Sequence, residues 1–72
     1  MRIVKLSDTQ VVRREEAARR LHEIADELAS GNGIVVERDS MRFDVAVPEE
    51  VSMKIEVEIE SDQNELEIEL TW

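Results

Sequence analysis

The sequence predicts an α+β fold in two layers, with one helix packed on a four- to five-stranded antiparallel meander. Three observations carry that prediction. Apolar residues recur at helical spacing through "REEAARRLHEIADELASG" (Arg14–Gly31) and nowhere else. After Gly33 the period drops to two and stays there through "IVVERDSMRFDVAV", "VSMKIEVEIE" and "ELEIELTW". Clean alternation of apolar and charged residues is the mark of an antiparallel sheet with one covered and one wet face.

Each element follows from its residues. "RIVKL" has strand composition and predicts a short first strand over Ile3–Leu6, with "SDT" as a turn. From Arg14 to Ser30, Ala17, Leu21, Ile24 and Leu28 fall at spacings of four, three and four and form one apolar stripe. Glu15 and Glu16 stand in the first turn, where the helix dipole favours them, and each precedes an arginine (Arg19, Arg20) by four residues. Val12 and Arg13 supply no side-chain N-cap, so the first turn is expected to be weak. "SGNG" stops the helix, with Gly31 suited to the left-handed position beyond its end. Ile34–Arg38 is a strand, and Asp39 and Ser40 are a tight connection to Met41, Phe43, Val45 and Val47, which alternate until Pro48 ends that strand. Val51, Met53, Ile55, Val57 and Ile59 mark the longest strand, "SDQN" turns the chain, and Leu66, Ile68, Leu70 and Trp72 mark the last.

Length and charge bound what such a domain does. Seventy-two residues form a single domain, 1–72, at a size that buries only about 60–65% of its unfolded surface. Chains this small usually add disulfides, a metal or self-association. Cysteine is absent and His22 is the only histidine, which excludes disulfides and thiolate metal sites and leaves no histidine cluster. No cofactor or metal is expected. No apolar run reaches the ~18–20 residues of a membrane span, and Lys5 and Asp8 interrupt any signal-like stretch, so a cytoplasmic protein without a membrane partner is expected.

The net charge of −9 is unevenly placed: residues 1–48 carry nine acids and eight bases, whereas residues 49–72 carry nine acids and Lys54 alone. Such a field repels nucleic acid. With 18 acids, and two lysines to seven arginines, the composition fits a protein that works in molar salt, where screening reaches only ~3 Å. Glu56, Glu58, Glu60, Glu65, Glu67 and Glu69 are expected on the wet face, glutamate opposite glutamate, with Lys54 and a neighbouring Arg42 as the local relief.

The helix phrase, the strand "VSMKIEVEIE" and the closing "ELEIELTW" together resemble the amphi-Trp domain, a small family common in salt-loving archaea and named for amphipathic strands ending in Trp. The resemblance covers most of the chain. It implies a fold and a salt-adapted setting, with no established activity and no catalytic residue. A capping Ser is expected before the helix in that family, and here Arg13 stands in its place.

Candidate chemistry is sparse. His22 sits about 115° from the centre of the apolar stripe, on the helix shoulder, without a nucleophile motif beside it. A flat ladder of glutamates condenses counterions rather than building a convergent oxygen cage. "SGNG" follows a helix and precedes a strand, the reverse of a phosphate cradle. No enzyme is expected.

A helix of 16 residues, ~24 Å long and ~10 Å across, covers only about half of a four-stranded face. The uncovered apolar area predicts an interaction module that self-associates, preferably as a homodimer, or meets a protein partner. Its interface candidates are Trp72, Leu70, Ile68, Phe43 and Met53, with Trp72 in phase with the buried series. The alternative is an acidic regulator that binds a basic protein through the glutamate face.

Overall fold

A computed structural model describes residues 1–31 and 33–72. Asn32, part of the predicted helix stop, lies outside them. The order is α1 (Arg14–Ala29), β1 (Ile34–Arg38), β2 (Met41–Val45), β3 (Ser52–Ile59) and β4 (Asn64–Thr71).

The helix forms where its period and charges place it. Arg19 donates to both Glu16 and Glu23, and Arg20 Nε reaches Glu16 at 3.4 Å. Glu15 meets Arg14 at 3.6 Å in place of the expected Arg19, which is engaged by the other two carboxylates. Arg13 is the N-cap residue, extended at φ −72° and ψ 152°, and makes no capping bond from its side chain. At the other end Ser30 N donates to Asp26 O (3.0 Å) and Gly31 N to Leu28 O (3.2 Å), with Gly31 at φ +92°.

Strands β1 and β2 form a hairpin through Asp39 and Ser40, both at positive φ (53° and 65°), the backbone of a two-residue turn that follows sheet twist. Ile34 faces Val45 and Val36 faces Phe43 on one side. That side carries the half-buried residues of this hairpin, and α1 packs on β1. The Val35 N–H donates to Glu27 Oε2 at 2.8 Å and ties helix to strand. Strands β3 and β4 form a second, longer antiparallel hairpin, with Ile55 opposite Ile68 in its middle row.

Two expectations are corrected. The four strands do not make one meander, because β2 and β3 do not pair and the sheets are two separate hairpins. The break falls at Ala46–Val51, where Pro48 has no N–H to donate and is followed by Glu49 and Glu50. The predicted fifth strand at Ile3–Leu6 is also absent, since residues 1–13 contain neither helix nor strand. Side chains hold parts of this segment instead. Arg38 Nη1 donates to Ser7 O (2.7 Å) and Arg20 Nη2 to Gln10 Oε1 (2.9 Å).

The apolar faces are open. No described residue is fully buried, and β3–β4 makes no close approach to α1 or to the β1–β2 hairpin. The accessible surface is 6916 Å². A compact monomer of 8.3 kDa exposes about 4,600 Å², so the chain carries a surplus of about 2,300 Å². Its radius of gyration is 14.2 Å, against about 11 Å for a compact chain of this length.

Candidate interaction surface

The β3–β4 hairpin sorts its side chains by parity. Residues directly opposite in an antiparallel pair share a face. Met53–Leu70, Ile55–Ile68 and Val57–Leu66 therefore lie on one side, and Lys54–Glu69, Glu56–Glu67 and Glu58–Glu65 on the other. Ile59 and Trp72 extend the apolar side at either end by the same alternation. Leu70 is half-buried, while Met53, Ile55, Val57, Ile59, Leu66 and Ile68 are 46–79% exposed and Trp72 is 58% exposed.

Of the five sequence-derived interface candidates, Trp72, Leu70, Ile68 and Met53 share this face. Phe43 does not. It lies half-buried in β2, opposite Val36, in the other hairpin. Trp72, expected among buried residues, is open because α1 packs on β1 and leaves β3–β4 uncovered. The alternation already marked Ile55, Val57, Ile59 and Leu66 as members of the same face, but a meander would have left them under the helix.

Beside the face lies an apolar hollow of about 390 Å³ between the end of α1 and the start of the second hairpin, lined in part by Leu28, Val47, Val51, Met53 and Leu70. Among the described residues lining it, the only titratable side chain is Glu49. No motif in the sequence announced it, since Pro48 brings Val47 and Val51 there through an irregular connection.

On the opposite side two like-charge pairs stand in register, Glu56 with Glu67 and Glu58 with Glu65. Lys54 is the local counter-charge, with Nζ 2.9 Å from Glu56 Oε2 and 3.3 Å from Glu67 Oε1. The hydrogen bond to Glu56, then the bond to Glu67, raise the Lys54 pKa. Arg42 does not assist, because β2 is not beside β3 and its Nε reaches Asp44 Oδ1 at 3.2 Å. Glu60 lies just past β3, where its N–H donates to Gln63 O (3.0 Å). Among the described residues, no three acidic or imidazole groups converge as metal ligands would. His22 is exposed on α1. Among the described residues, no helix is long and apolar enough to cross a membrane.

A single helix followed by amphipathic hairpins, with Trp72 just past the last strand and in phase with its apolar side, defines a small α+β domain whose distinguishing feature is an open apolar strand face. The chain belongs to the Amphi-Trp domain family, whose model matches residues 2–72. No curated protein and no solved structure matches it.

Proposed function

We propose that this domain is a non-enzymatic self-association module, adapted to high salt, whose folded form is a homo-oligomer and most simply a dimer. The observation that carries this reading is the open apolar face of β3–β4 on a chain with about 2,300 Å² more surface than a compact monomer. Part of that surplus is the open hairpin face, and covering it with a second copy removes roughly 1,000 Å² in total, the threshold of a specific interface. Salt adaptation is supported by the net charge of −9 and by the two glutamate pairs in register, which repel each other most when salt is low.

The test is light scattering behind size exclusion, in molar KCl and again at low salt. A dimer or larger species in molar KCl, loosening as salt is removed, supports the module. A monomer at every salt concentration contradicts it.

A further inference from the structure

We infer that the occupant of the β3–β4 face is the same face of a second copy, the two hairpins packing face to face with their glutamate ladders turned outward. This rests on the self-association reading and specifies its interface.

Three arguments select this arrangement. The first is coverage. Edge-to-edge pairing of two hairpins would extend the sheet and double the open apolar face, whereas face-to-face packing is the sheet arrangement that removes it from water.

The second is charge. Edge pairing sets neighbouring strands ~4.8 Å apart and would bring one ladder of Glu56, Glu58, Glu65, Glu67 and Glu69 alongside another on the same side. Face-to-face sheets lie ~10 Å apart with their outer side chains pointing away from each other, which keeps the two ladders at least twice as far apart as edge pairing does.

The third is fit and area. Each strand is eight residues long, and an isologous contact sets the same patch of both copies against itself. Fully burying an aliphatic side chain removes ~60–120 Å². The exposed fractions of Met53, Ile55, Val57, Ile59, Leu66, Ile68 and Trp72 thus amount to on the order of 500 Å² per copy. Two copies bury roughly 1,000 Å², the threshold of a specific interface. The helix stripe offers less, because Ala17 and Leu28 are half-buried and only Leu21 and Ile24 are about half exposed, against seven open residues on the hairpin face. The rest of the surplus surface is elsewhere, notably at Met1, Ile3 and Val11 in the N-terminal segment.

Ile55 and Ile68 form the middle row, so a twofold axis lying between the two faces at that row brings them close to their counterparts in the second copy. The natural chain has no cysteine, so single cysteines report position without background. The experiment compares Ile68→Cys on the apolar face, Glu67→Cys on the acidic face and Ile24→Cys on α1, each treated with a short bis-maleimide in molar KCl. Light scattering of the unmodified chain is run in parallel.

The expected result is efficient cross-linking of Ile68→Cys into covalent dimers and little cross-linking of Glu67→Cys or Ile24→Cys. A dimer by scattering in which Ile68→Cys does not cross-link, or in which Glu67→Cys or Ile24→Cys links as well, overturns the face-to-face interface and leaves self-association standing. A monomer overturns both. Should Ile68→Cys disturb the fold, Ile55→Cys in the same row gives the same readout, and Trp72 emission shows whether the chain is still folded.

Discussion

At Gly33 the backbone sits at φ +128°, and a Cβ placed there would lie 2.0 Å from the carbonyl oxygen of Val45. The obstacle is backbone, so Gly33→Ala is expected to cost at least about 2 kcal/mol in chemical denaturation, through clash and strain together. Ser40 presents the opposite case, a residue with a Cβ at φ 65° in the β1–β2 turn. Ser40→Gly is expected to stabilise the hairpin by up to about 1 kcal/mol, the left-handed penalty less the entropy of glycine. Glu16 carries a pH signature in the acid range. The hydrogen bond from Arg19, then the charges of Arg19 and Arg20, lower its pKa from 4.5 to about 2 against partial desolvation. Its contribution to stability is therefore complete above pH 4.5 and disappears as pH falls through about 2. Glu16→Gln should lower thermal stability at pH 7, with the difference shrinking below pH 4.5 and vanishing only well below pH 2, as circular dichroism would show.

Elements were legible wherever local pattern decides them. The helix runs from Arg14 to Ala29, one residue short of the span predicted, because its stripe, its Glu–Arg pairs and Gly31 all act within a few residues of one another. Alternation likewise assigned the apolar residues and glutamates of β3 and β4 to their faces, although Asn64, read as part of the turn, is the first residue of β4. The missing N-cap was also legible, and Arg13→Asp is expected to add about 1 kcal/mol of stability by supplying an oxygen to the first-turn N–H groups. What the sequence did not reveal is which strands pair. Period two fixes faces but not neighbours, and nothing in "VAVPEEVS" separates a hairpin loop from a break between sheets. The strand expected at Ile3–Leu6 failed for a related reason: its composition suits a strand, but among the described residues none pairs with it.

For the whole molecule, parity made it legible that Trp72, Leu70, Ile68 and Met53 share a face, whereas placing Phe43 beside them needs a continuous sheet that the two hairpins do not form. The electrostatic consequence holds either way. Replacing Glu67 by lysine puts opposite charges in the Glu56 row, so Glu67→Lys should raise the melting temperature at low salt, with the gain shrinking toward molar KCl. Lys54→Gln should do the reverse, removing the cation that bridges Glu56 and Glu67. Above these effects stands the proposal that the apolar surface left open by one chain is covered by another, which makes folding and association one equilibrium. The most direct measurement is urea unfolding in molar KCl, followed by the emission of Trp72, at two protein concentrations a hundredfold apart. A dimer that dissociates as it unfolds gains about 2.7 kcal/mol over that range, and its midpoint should rise by about 1 M urea. A midpoint that does not move with concentration would contradict the account.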